Sequence, residues 1–92
     1  MADIRVYGTN WCRLTFRIRE YLMRSRVEYL YFDIETDHAA GEFVRGMSEG
    51  EQRYPMVVIA DQVVINPTLV ELQTMLDDNR IERRPDVARR AS

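Results

Sequence analysis

Polar and apolar residues alternate from Asp3 to Tyr7, a spacing that predicts a short strand with one face on a core. The period then lengthens. Between Cys12 and Ser25, Leu14, Ile18, Tyr21 and Leu22 recur at i, i+4, i+7 and i+8, while Arg13, Arg17, Glu20 and Arg24 take the opposite stripe. This pattern predicts an amphipathic helix with its four apolar positions on the core and a solvated back. Glu20 and Arg24 form a favourably oriented i,i+4 pair on that back, worth a few tenths of a kcal/mol. Val27 to Ile34, rich in aromatic and aliphatic residues, reads as a second strand.

Thr36-Asp37 supplies an N-cap for a second helix running through Ala39, Ala40, Phe43 and Val44, with Glu42 exposed. A polar loop, Ser48 to Arg53, follows. After Pro55 the continuous apolar run Met56-Val57-Val58-Ile59 predicts a buried strand, and Asp61-Gln62 turns it into Val63-Val64-Ile65 as a hairpin. Asn66 as N-cap and Pro67 at the first helical position open a last helix that ends near Asp78. The order is β-α-β-α-β-β-α. A parallel pair joined by a helical crossover and then a hairpin predicts a mixed four-stranded sheet flanked by three helices, an α/β fold. One domain spans residues 1–79. Residues 80–92, including Arg83-Arg84 and Arg89-Arg90, have no periodicity and read as a flexible, solvated tail.

Ninety-two residues hold one core. A hydrophobic content of 46% against 30% charged is that of a soluble globular domain, and a net charge of −2 gives no nucleic-acid footprint. No stretch approaches membrane-spanning length and no signal peptide is evident, so a cytoplasmic protein with no membrane partner is expected. All 13 basic residues are arginine; anions must therefore be met by the guanidinium fork, not by an ammonium. A single cysteine excludes an internal disulfide. With one His and one Cys, no metal site is expected.

That cysteine, Cys12, stands where the first strand gives way to the first helix. A thiol in the first turn of a helix meets unpaired N–H groups and the positive end of the dipole, and both favour the thiolate. Arg13 adds positive charge beside it, and Thr15 has a hydroxyl on the same turn. A lone Cys is often only a small core residue; a strand-loop-helix junction, normally solvent-facing, argues against that here. Trp11 either shields the sulfur, meets a partner, or packs as a half-buried indole. Pro55 precedes a buried strand, where a bend, cis if the bond allows it, would leave the backbone of Tyr54 free for an extended ligand. A plain loop proline is the simpler alternative.

Taken in order, the Cys at the first helix and the proline ahead of the third strand resemble the thioredoxin fold, and within it a small glutaredoxin. Tyr-Gly-Thr-Asn-Trp-Cys (7–12), Phe-Asp-Ile-Glu-Thr-Asp (32–37), Ala-Gly-Glu-Phe-Val (40–44) and Ile65-Asn66-Pro67-Thr68 are most similar to the mycoredoxin branch, which works with mycothiol. The resemblance spans residues 4 to about 78. It implies Cys12 as nucleophile and Pro55 as a cis-proline facing it. Arg53 and Tyr54 would hold a bound thiol, and Asn66, Pro67 and Thr68 would form the far wall, with the last helix N-terminus open to a carboxylate. Simple capping is the equal alternative for Asn66 and Thr68.

The chain departs from that pattern at Cys12-Arg13-Leu14-Thr15, where the family usually has Cys-x-x-Cys. An attacked protein disulfide cannot then be resolved internally. A lysine ahead of the cysteine and an acidic residue just beyond Thr68 are also missing. The resemblance implies a monothiol oxidoreductase acting on mixed disulfides between proteins and a small thiol, mycothiol or glutathione, with a monomer as the default. A non-catalytic module binding a thiol, peptide or partner protein is the alternative. Iron–sulfur carriage fits least, because monothiol carriers have Cys-Gly-Phe-Ser and Arg13-Leu14 would crowd a cluster.

Overall fold

The computed structural model describes residues 3–81 and 83. Its elements are β1 (Ile4–Gly8), α1 (Arg13–Arg24), β2 (Leu30–Asp33), α2 (His38–Met47), β3 (Met56–Ile59), β4 (Gln62–Ile65) and α3 (Leu69–Asp78). The sheet order is β2-β1-β3-β4. β1 runs parallel to β2 and antiparallel to β3, and β3 is antiparallel to β4. This is the mixed four-stranded sheet the pattern predicts, in the arrangement that the resemblance to the thioredoxin fold implies. Most of the tail expected at 80–92 lies outside the described residues.

Strand alternation sorts the core into two halves. Ile4, Val6, Val57 and Ile59 pack with Ile18 and Leu22 of α1 and Leu72 and Leu76 of α3. On the opposite face Tyr7, Met56 and Val58 meet Ala40 and Val44 of α2. There the Tyr7 ring stacks on Phe32 at 5.0 Å and on Phe43 at 4.9 Å. β1 and β3, covered on both faces, are the strands whose residues are almost all buried; β2 and β4 are edges with partly exposed residues.

Several boundaries move. The second strand begins at Leu30 rather than Val27. Val27 is buried, but the chain is still turning there: Arg26 has φ 60° and the Val27 N–H donates to Leu22 O at 3.4 Å. The hairpin turn is Ala60-Asp61, with Ala60 at φ 52°, so Gln62 already belongs to β4. The expected Asn66 cap of α3 is displaced by two residues. Asn66 is left-handed at φ 49° and Thr68 is the N-cap. The Thr68 hydroxyl accepts from Glu71 N at 3.0 Å, and Glu71 Oε1 accepts from Thr68 N at 2.8 Å, forming a reciprocal capping box. With Asn66 as the cap the third helical position would be Leu69, which has no carboxylate to return the bond, whereas Thr68 places Glu71 there. Asp37 does cap α2, accepting from Ala40 N at 3.0 Å. Glu20 and Arg24 pair at 3.5 Å.

Candidate active site

β1 delivers the chain to the reactive corner and α1 carries it away. Thr9 O accepts from Cys12 N at 3.3 Å and Cys12 O accepts from Phe16 N at 3.0 Å. Cys12 itself is extended, at φ −80° and ψ 121°, and is the N-cap of α1 rather than its first helical residue. The side chain of an N-cap residue lies where the second and third helical N–H groups point. In α1 those belong to Leu14 and Thr15. The thiol makes no capping hydrogen bond, because a neutral sulfur is a weak acceptor; a thiolate is a strong one.

Burial works to raise the Cys12 pKa. It is outweighed by the Thr15 hydroxyl and the backbone N–H groups of Thr15 and Leu14, which hold the thiol below its ordinary value of 9.0. The lowering is carried by these hydrogen-bond donors, the helix-start N–H groups and Thr15 hydroxyl that the sequence pointed to, while the Arg13 charge expected to add to it is not among the causes. Thr15 Oγ1 is buried and has no partner among the described residues in the resting thiol form, so its O–H is available to the sulfur on ionisation. Thr15 is held in place by Gly8. A Cβ on Gly8 would overlap Thr15 Oγ1 and Cγ2, so β1 ends in a glycine where α1 approaches most closely.

Trp11, 66% exposed, is not a packed half-buried indole. Its Nε1–H donates to Glu35 Oε1 at 3.0 Å and its ring meets Tyr54 edge-on at 6.0 Å. That contact ties the Cys12 loop to the Tyr54-Pro55 segment. The Tyr54–Pro55 bond is cis, and among the described residues nothing pairs with the Tyr54 backbone N–H or C=O. Pro55 O accepts from Asn66 N at 2.6 Å, which links the proline loop to the start of α3. A groove of about 330 Å³ runs between α1 and this turn, lined by Leu14, Arg17 and Ile18 on one side and by Asn66 through Val70 on the other.

Leu14, read from its period as a core residue, is 43% exposed and lines this groove. Thr15 takes the buried position instead, since Gly8 leaves room for it. Arg53 is exposed, donates to Glu51 Oε2 at 2.9 Å, and lines a separate cavity of about 380 Å³ with Met47, Ser48 and Ile65. The structure thus joins Cys12 to Thr15 and, through the next-door Trp11, the thiol loop to Tyr54, whose bond to Pro55 is cis; it sets Asn66, Pro67 and Thr68 along a groove with α1 and turns Arg53 to another surface. The α3 N-terminus is partly filled by its own residues, because the capping box engages the Thr68 and Glu71 N–H groups.

Two residues of the corner escape sequence reasoning. Tyr31 on β2 donates its hydroxyl to Asn10 Oδ1 at 2.8 Å, and the Arg19 guanidinium lies 3.8 Å from its ring centroid. Burial, then the charge of Asp33, raises the Tyr31 pKa against the opposing pull of Arg19, and the Cys12 charge adds to the rise. Only the parallel pairing of Val6 with Tyr31 brings this phenol to the thiol loop, and no local motif announces it. Among the described residues no group of three or more His, Cys, Asp or Glu side chains could hold a metal ion. None of their helices is long and apolar enough to cross a membrane.

Known proteins place this geometry. The glutaredoxin family profile matches residues 4–64. A Mycobacterium tuberculosis protein that carries a provisional glutaredoxin name is 34% identical over 76 residues, covering 82% of this chain and 90% of that one. Mycoredoxin 1 of Corynebacterium glutamicum is 29% identical over 73 residues, covering 78% and 90%. Among solved structures, a mutant of the thioredoxin-like protein BC3987 superposes with a TM-score of 0.75 at 30% identity, over 89% of this chain and all of that one. A glutaredoxin from Archaeoglobus fulgidus shares the fold at a TM-score of 0.69 and 22% identity, over 83% and 87%. With its cysteine at the N-cap of α1 and a cis-proline just ahead of β3, the chain belongs to the glutaredoxin family of the thioredoxin fold and is close to the mycoredoxin-like proteins.

Proposed function

We propose that the protein is a monothiol thiol–disulfide oxidoreductase that reduces mixed disulfides between proteins and a small thiol of the mycothiol or glutathione kind. The observation that carries this is the placement of Cys12 at the N-cap of α1, where the Leu14 and Thr15 N–H groups and the buried, otherwise unpartnered Thr15 hydroxyl are available to its thiolate, in keeping with a Cys12 pKa below the ordinary value. In the first step the Cys12 thiolate attacks the small-thiol sulfur of the mixed disulfide. A new S–S bond forms, the old one breaks, and the protein target leaves as a thiolate that takes a proton from water. In the second step the thiolate of another small thiol attacks the same sulfur and releases Cys12 as thiolate, leaving the small thiol as its symmetrical disulfide. One enzyme thiol suffices, and Thr15 in place of a second one prevents internal resolution.

The free Tyr54 backbone supports a role in aligning the bound thiol, with Pro55, Asn66, Pro67 and Thr68 as groove walls. The placement of Arg53 gives it a contact with the distal part of the ligand at most. The mycoredoxin-like sequence favours a mycothiol-type co-substrate, a reducing cytoplasm as the setting and a monomer as the working form. Mass spectrometry after incubation with oxidised mycothiol, and separately with oxidised glutathione, tests the reading. A Cys12 adduct with one or both, absent from Cys12→Ser, supports it; a wild-type protein inert to both at neutral pH refutes it.

The Arg13-Leu14 insert and the absent second thiol favour a second reading, a binding module that keeps the groove without turnover. An alkylation profile for Cys12 that titrates like an ordinary thiol would select that reading.

A further inference from the structure

The first turns of α1 hold a charge arrangement that helix physics disfavours. Arg13 stands at the first helical position and the first turn has no acidic residue, so a cation faces the positive end of the dipole. Arg13 and Arg17 are like charges at i,i+4, a repelling spacing. Neither has a partner among the described residues. Most of the other described arginines do: Arg24, Arg45 and Arg53 pair with carboxylates, Arg83 lies 3.9 Å from Asp77, and Arg5 and Arg19 lie over aromatic rings. The Cys12 thiolate does not account for the cluster, because its stabilisation comes from Thr15 and backbone N–H groups.

Apolar surface lies alongside: Leu14, between Arg13 and Arg17 in the same helix, is 43% exposed, and Val70 is 73% exposed. Leu14, Arg17 and Val70 all line the groove between α1 and the start of α3. Glu71, at the third position of α3, has its carboxylate engaged by the Thr68 N–H, which leaves Arg17 without an internal counter-ion. From these observations we propose that the α1 face beside Cys12 is a docking surface for an acidic, aliphatic segment of a protein partner: its carboxylates meet Arg13 and Arg17, and its apolar side chain packs on exposed Leu14. Charge complementarity selects this occupant over a basic or neutral segment. The inference rests on the proposed function in taking that partner to carry the mixed disulfide, but docking itself needs no redox step.

Fluorescence anisotropy with Cys12→Ser protein separates the two. The probes are two labelled ten-residue peptides, one with Glu flanking a central Leu and one with Lys at the same positions. At low salt the acidic peptide is expected to bind about tenfold tighter, with the preference erased at 0.5 M salt. Arg17→Gln should weaken it about two- to fivefold and the Arg13→Gln/Arg17→Gln double variant about tenfold. Leu14→Ser should weaken both peptides. Equal affinities for the two peptides, or an arginine double variant that binds the acidic one unchanged, overturn the proposal. So does selection of glutathione over its carboxylate ester with the peptides indistinguishable, which would assign the arginines to a small thiol. Peptide preference without any Cys12 adduct in the wild type refutes the redox reading and leaves docking standing; adducts without peptide preference do the reverse.

Discussion

Gly8→Ala is the most direct perturbation of the reactive corner, because it acts on the thiol through a single contact. A methyl built on Gly8 overlaps Thr15 Oγ1 and Cγ2 and sits 3.0 Å from Thr15 Cβ. Gly8 and Thr15 are both buried, one at the end of a central strand and the other on the first turn of α1, so neither can swing into solvent. Overpacking of this kind costs about 1–3 kcal/mol. Loss of glycine's freedom in the unfolded chain returns about 0.4–1 kcal/mol. The net expectation is a destabilisation of about 1–2 kcal/mol, which lowers Tm by roughly 5–15 °C in a domain of this size. Thr15→Ala removes both overlapping atoms and also deletes a buried hydroxyl that has no partner. In that background Gly8→Ala should cost about 1 kcal/mol less, a coupling well above the ~0.3–0.5 kcal/mol scatter of independent sites. Urea titrations of the four proteins give the cycle. Additive effects, or a Gly8→Ala variant as stable as wild type, would show that Thr15 is not wedged against the strand and would remove the reason for its orientation toward Cys12.

Other consequences follow from the same corner and its flanks. The rate of Cys12 alkylation against pH should have its midpoint below 9.0, and Thr15→Val, which keeps the shape and removes the O–H donor, should move that midpoint upward while burial continues to push in the same direction. Because the folded-state pKa of Cys12 is depressed, its ionisation contributes stability that is fully present above the unfolded thiol pKa and is lost as pH falls through the folded value. The stability difference between wild type and Cys12→Ser should therefore change in favour of wild type as pH rises toward 9, and chemical denaturation at several pH values checks this; a flat difference refutes the depressed pKa. Thr68→Ala removes the hydroxyl that accepts from Glu71 N, leaving only the Glu71 carboxylate on the backbone N–H of residue 68, and should cost about 1 kcal/mol, whereas Asn66→Ala, once the expected cap is known to lie elsewhere, should not destabilise by loss of a cap.

The fold could be read from sequence wherever one periodicity held for a whole element. β1, α1 and β3 declare themselves because the core covers β1 and β3 from both sides and α1 along one stripe, so local pattern and tertiary burial agree. The reading failed where a local rule had a competitor. Asn66-Pro67 satisfies every rule for a helix start, but Thr68 and Glu71 form a reciprocal cap, and Asn66 instead turns left-handed to bond Pro55. Leu14 yields its expected core place to Thr15 because a glycine in a different element leaves space for threonine, information that no helical window contains. Tyr31 reaches Asn10 through sheet pairing alone. Cys12 was identifiable because its signal was both local and chemical, a thiol at a helix start.

Thr15 resolves what first looks like a defect. At the position where a second thiol would take over an attacked disulfide, the chain has a buried hydroxyl that cannot exchange but can donate a hydrogen bond to the first sulfur. Losing the resolving group and stabilising the nucleophile are then one substitution. On the proposed reading, the covalent intermediate at Cys12 persists until an external thiolate attacks it, so turnover follows the concentration of the small thiol rather than the rearrangement of the enzyme. Lowering a thiol's pKa also lowers its intrinsic nucleophilicity and makes it a better leaving group. A stabilised Cys12 thiolate is for that reason better suited to being released by a second thiol than to forcing open a structural protein disulfide. Thr15→Val should consequently slow the release step more than a simple loss of thiolate would explain. Single-turnover measurement of adduct formation and adduct release in the two proteins separates the two effects, and equal slowing of both steps would show that the hydroxyl acts only by setting how much thiolate is present.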